Sequence, residues 1–111
     1  MNTNDFAAAA ECLSPDFVLL WPQSRERIVG RDNFAALNSA YPANGLWKFT
    51  INSLLADGNK VVTDTTVTDG VVTARAITFS TVVNGLITEQ TEYWPDEYDA
   101  PAWRTQWVQR Y

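Results

Sequence analysis

Histidine is absent from this chain. Its absence removes Ser-His-Asp and Cys-His nucleophilic machinery, histidine general bases and most zinc sites. Any acid–base chemistry is left to carboxylates, tyrosines, lysines or water. Cysteine is almost as scarce. The single Cys12 excludes an internal disulfide framework, and beside Ala10, Glu11 and Leu13 it reads as a small buried hydrophobe rather than a nucleophile. Basic residues are few: 8 Lys and Arg against 13 Asp and Glu leave a net charge of −5. Phosphate binding needs a basic face, so nucleic acid is not an expected partner. No apolar run approaches the roughly 18 residues of a membrane span, and there is no secretory hydrophobic segment. The expected compartment is therefore the cytoplasm, with no membrane partner. No metal or cofactor motif is visible, and none is expected.

What is present is one domain, residues 1–111, long enough to build a core without staples. Asn4-Asp5 can cap a helix from Phe6 to about Leu13, ended by Ser14-Pro15. Asp16 to Trp21 is a strand closed by Pro22, and Ile28-Val29 resumes an extended run. Gly30-Arg31-Asp32 introduces a second helix over about Asn33 to Tyr41, broken by Pro42. Strands follow over Trp47 to Leu55, Lys60 to Thr68, Val71 to Val83 and Leu86 to Trp94. Asp57-Gly58, Asp69-Gly70 and Asn84-Gly85 punctuate them, and the last is the strongest hairpin signal in the chain. Beyond Pro95, Asp99 to Tyr111 reads as a short helix with Trp103, Trp107 and Tyr111 on one stripe. Helices first and a meander after predict an α+β fold, its helices on one face of a curved sheet.

Two-residue turns at Asp69-Gly70 and Asn84-Gly85 would fix the register. Arg75 then lies opposite both Asp64 and Trp94, Ile77 opposite Glu92, and Phe79 opposite Gln90. Opposed residues share a face, which gives one face Asp64, Arg75, Ile77, Phe79, Gln90, Glu92 and Trp94. The other holds Ala74, Ala76, Thr78, Ser80 and Tyr93, small or amphipathic enough to let two sheets approach, so a homodimer through that face is expected.

The order of a helix, a strand ending Trp21-Pro22, Gly30-Arg31-Asp32 before a helix, and a meander ending Tyr93-Trp94-Pro95 resembles the nuclear transport factor 2-like superfamily. The polyketide-cyclase-like (SnoaL-like) branch is the most similar. Ser14-Pro15-Asp16-Phe17, the run Glu26 to Arg31, and Asn84-Gly85-Leu86-Ile87 leading to Glu92-Tyr93-Trp94 carry the resemblance. It implies a cone: a strongly bent sheet wrapped round a pocket, N-terminal helices closing the open side, often dimeric through the sheets. The fold hosts cyclases, isomerases, dehydratases, hydrolases and proteins without catalysis. Superfamily members usually begin with a longer helix, so the resemblance implies about one helix's worth of chain ahead of Asn4-Asp5 beyond the three residues seen there. The ketosteroid isomerases carry their aspartate base immediately before a proline at the end of the first strand. That place holds Trp21 here, which argues against isomerase chemistry by that route.

The candidate catalytic residues are Glu92, Asp64 and Arg75: a carboxylate as general base, with the arginine steadying a developing enolate or a ligand carboxylate. A structural cross-strand ion pair is the plainer reading of the same three. Trp21, Trp47, Phe49, Ile77, Phe79, Gln90, Trp94, Trp103 and Trp107 are the candidate ligand-binding residues, for a hydrophobic or polycyclic small molecule. Core packing explains most of them equally well. Arg75 beside the Trp94 ring would make a cation–π contact, and the C-terminal helix is expected to lid the wide end of the cone. A cofactor-free cyclase, isomerase or dehydratase and a non-catalytic binding or dimerisation module both remain open.

Overall fold

The computed structural model describes residues 10–40 and 45–111. Six strands form one mixed sheet in the order β2-β1-β6-β5-β4-β3. They are β1 (Leu13–Trp21), β2 (Glu26–Val29), β3 (Lys48–Asp57), β4 (Lys60–Thr68), β5 (Thr73–Val83) and β6 (Leu86–Tyr93). One helix, α1 (Arg31–Ala40), and two 3₁₀ turns, Ala10–Cys12 and Ala102–Trp107, complete the described elements. The expected helix from Phe6 falls largely outside the described residues. Its end, Leu13, already belongs to β1, and Cys12 is exposed rather than buried. Pro15 lies where the β1–β6 pairing is irregular, between Leu13 and Val18, the kind of place a strand tolerates a residue that cannot donate.

The core forms where α1 lies against β1. Leu13, Phe17, Leu19 and Ile28 are buried, with Phe34, Leu37, Trp21 and Ile87 packed around them. Phe17 and Phe34 meet edge to face, centroids 5.7 Å apart. Phe17 is wholly buried, and burial of such a side chain contributes about 1.5–3 kcal/mol. The chain enters α1 through Gly30, whose φ of 87° lets its N–H reach the Phe17 carbonyl at 2.6 Å and would strain any residue with a Cβ.

The turns on either side of β5 fix its register against β4 and β6. The loop between β4 and β5 pairs Thr68 with Thr73, so it spans four residues rather than the expected two. Asp69 shapes it, its Oδ1 accepting the N–H groups of Val71 and Val72 at 3.0 and 2.8 Å. The register moves by two and faces are unchanged: Arg75 opposes Thr66, and Asp64 opposes Ile77. The Asn84-Gly85 turn is the expected two-residue one, both residues at positive φ (52° and 79°), with Val83 paired to Leu86.

Beyond that turn the ladder slips. Val82 pairs with Ile87 but Thr81 with Glu89, leaving Thr88 as an extra residue in β6. A one-residue slip sends every later side chain to the other face. Glu92 therefore opposes Thr78, and Tyr93 opposes Ile77. The inner face, which α1 covers at one end, carries Ala76, Thr78, Ser80, Gln90 and Glu92. The outer face carries Arg75, Ile77, Phe79, Thr91 and Tyr93. The expected outer set of Ala74, Ala76, Thr78 and Ser80 is thus inner, and Ala76 and Thr78 are buried there.

Candidate functional site

Glu92 is the centre of the inner-face polar cluster. Its Oε1 accepts the indole N–H of Trp21 at 3.1 Å and that of Trp94 at 3.0 Å. Its Oε2 accepts the Thr78 hydroxyl at 2.8 Å. Each partner arrives by strand periodicity: Trp21 from the end of β1, Thr78 from the opposing position on β5, and Trp94 two residues after Glu92. All four residues are buried or half-buried. One rung along, the Gln90 amide donates to Ser80 Oγ at 3.0 Å.

Trp94 is held from behind by Gln23. That side chain accepts the Trp94 backbone N–H at 2.5 Å and donates to its carbonyl at 3.1 Å. The amide thereby acts as one more ladder rung, tying the β1–β2 turn to the end of β6. An ionised carboxylate has about four acceptor positions; three are filled here, all by neutral donors.

The expected three-residue constellation does not assemble. Arg75 and Asp64 meet on the outer face as a bidentate pair, Nε to Oδ1 at 2.6 Å and Nη2 to Oδ2 at 2.5 Å. The Arg75 guanidinium holds the Asp64 carboxyl below its ordinary value, while Arg75 itself is 57% exposed. Glu92 lies on the opposite side of the sheet because of the Thr88 bulge. For the same reason Arg75 is not beside Trp94. The cation–π contact the structure shows is Arg104 over Trp103, 5.9 Å from the ring centroid.

Of the candidate ligand-binding residues, Trp21, Gln90 and Trp94 gather on the inner face around Glu92. Phe49 joins that face through its pairing with the buried Val67, and Trp47 is half-buried just before β3. Ile77 and Phe79 lie on the outer face. There Phe79 stacks edge to face on Tyr93, centroids 6.2 Å apart, beside a shallow groove whose lining includes Lys60, Val62, Glu89 and Thr91. Trp103 and Trp107 are 73% and 71% exposed, and the 3₁₀ turn that bears them buries none of its residues. In the single chain it is not a lid, because one short turn places the two rings without an apolar surface beneath them. Thr78 and Gln23 went unrecognised: a threonine at a strand position and a glutamine in a loop give no signal until register and turn are known.

The family model of the SnoaL-like domain matches residues 1–90. Among solved structures, a candidate ketosteroid isomerase from Kribbella flavida DSM 17836 is 33% identical with a TM-score of 0.89, covering 99% of this chain and 80% of that one. An NTF2-like protein of unknown function from Burkholderia xenovorans LB400 is 32% identical with a TM-score of 0.79, covering 99% and 85%. A candidate SnoaL-like polyketide cyclase from Jannaschia sp. CCS1 shares the fold at 16% identity and a TM-score of 0.66, covering 80% and 71%. None of the curated proteins compared with the chain matches it.

Proposed function

This chain belongs to the SnoaL-like domain family of the NTF2-like fold, and from that premise we propose that its inner face binds a hydrophobic small molecule, with Glu92 as the group that engages the ligand's polar atom. The observation behind this reading is the half-buried carboxylate held on the inner face by Trp21, Trp94 and Thr78. Apolar walls with a few fixed polar groups are the usual build of a small-molecule site. The family includes ketosteroid isomerase-like and polyketide cyclase members, in which a positioned carboxylate is suited to moving a proton next to a carbonyl. Here the strand-end place before Pro22 is occupied by Trp21, whose indole instead donates to a carboxylate supplied by β6. Glu92 is accordingly the acid–base candidate. Asp64 and Arg75 tie β4 to β5 on the other face.

A non-catalytic binding module is the second reading, favoured by the three donors already on Glu92, which leave little of the carboxylate to accept a substrate proton. Incubation of small cyclic ketones with the protein in deuterium oxide separates the two. Exchange next to the carbonyl that disappears in Glu92→Gln marks an enzyme. Ligand-induced shifts of the Trp21 and Trp94 indole signals without exchange mark a binding module. Shifts confined to the groove beside Phe79 and Tyr93 would refute both. We further propose a homodimer through the outer face, on the strength of its part-exposed Phe79 and Tyr93 (48% and 38% exposed).

A further inference from the structure

We infer that the ligand of the inner face carries a protonated amine, seated as an ammonium group on Glu92 Oε2 beside Trp21 and Trp94. The inference rests on the ligand-binding reading above and narrows it by charge. Its basis is an accounting of every cationic side chain in the protein.

The chain has eight lysines and arginines and no histidine, and all eight lie among the described residues. Arg75 is engaged with Asp64 on the outer face, and Lys60 donates to Thr81 Oγ1 on that same face. Arg31 reaches the Leu13 carbonyl at the start of α1, and Arg104 covers the Trp103 ring in the C-terminal segment. Arg25 and Arg27 are exposed on the β1–β2 hairpin, Lys48 is exposed at the start of β3, and Arg110 is exposed in the tail. None pairs with Glu92. The carboxylate is thus solvated by three neutral N–H and O–H donors and neutralised by no side chain.

Hydrogen bonds satisfy lone pairs, but they leave the formal charge in place. A buried charge is normally paired, so a half-buried carboxylate that no side chain of the protein neutralises favours a cationic ligand over a neutral donor. A charge-assisted bond is roughly twice as strong as a neutral one. The net charge of −5 adds an attractive field for cations and a repulsive one for anions. With Arg75 on the outer face, no described cation faces the site to receive a ligand carboxylate or enolate, so the preferred ligand charge is positive.

Three probes of one shape test this: 2-phenylethylamine, 2-phenylethanol and phenylacetate, titrated while the Trp21 and Trp94 indole signals are followed. The expected result is an amine dissociation constant about tenfold below that of the alcohol, with no binding of phenylacetate. Added salt should weaken the amine and leave the alcohol unchanged, a readout that needs no variant. Glu92→Gln should remove the amine's advantage, bringing the amine and alcohol dissociation constants together. An alcohol that binds as well as the amine overturns the ammonium proposal while the ligand-site reading survives. If neither moves the indole signals, both fall.

Discussion

Three donors converge on Glu92, so its loss should be felt in stability as well as in binding. Glu92→Ala strands two half-buried indole N–H groups and the Thr78 hydroxyl, and a stranded buried polar group costs about 1–3 kcal/mol. Urea unfolding should show a loss in that range or somewhat above it. Trp21→Phe removes one donor and leaves the acceptor satisfied by two others, so it should lose less. The Asp64–Arg75 pair predicts the opposite balance. It is bidentate but open to solvent, where screening keeps an ion pair weak, so Arg75→Ala should leave the melting temperature at neutral pH nearly unchanged. Because Arg75 lowers the Asp64 pKa in the folded state, the pair's small contribution is present above the ordinary carboxylate range. It is lost as pH falls through the lowered value. Carboxyl-carbon NMR should find Asp64 titrating below its ordinary value in the wild type and returning towards it in Arg75→Ala.

Within the elements, one inserted residue decides the site. Thr88 is the unpaired residue of the β6 bulge; were it paired in a regular ladder, Glu92 would fall opposite Ile77 instead of Thr78. Deleting Thr88 should close the ladder with Glu89 still opposite Thr81 and Glu92 still opposite Thr78, so Glu92 stays inward and Tyr93 outward. The expected outcome is retention of the Trp21 and Trp94 indole environments and of cooperative unfolding, read by near-ultraviolet circular dichroism during a melt. A deletion that loses those signals would show that the strand beyond Ile87 is not held in the register that sets Glu92 opposite Thr78. The C-terminal segment gives a further expectation. Its 3₁₀ turn buries no residue, so a chain ending at Pro101 should melt close to the full-length temperature at low protein concentration.

For the whole molecule, the outer face is the surface whose covering is proposed to be a second copy. Light scattering at micromolar concentration should give about twice the chain mass of 12.4 kDa. Phe79→Glu places a charge in the middle of that face and should return the monomer mass while leaving the Trp21 and Trp94 indole signals in place. Those signals report the inner face, so dissociation without their loss would show that the two faces act independently. No helix among the described residues is long and apolar enough to cross a membrane.

Much of this was legible from local chemistry. Alternation of apolar residues, the Gly-containing turns and the Asn84-Gly85 hairpin were enough to delimit β4 without error and the other strands to within a few residues, because strand and turn preferences act over four to ten neighbours. The order of those elements was enough to indicate the family. The face carrying Glu92 was not legible, since a β-bulge has no composition of its own: Thr88 looks like any strand threonine, and the slip shows only once Ile87 is paired with Val82 and Glu89 with Thr81. The four-residue Asp69 loop escaped notice too, but it moved the register by two and left faces intact. The sequence by itself therefore determined which residues are strand, which are turn and which charges are scarce. Tertiary structure alone decided that Glu92 meets Trp21, Thr78 and Trp94 rather than Arg75, because side-chain direction in a strand has a period of two and a single unpaired residue reverses it.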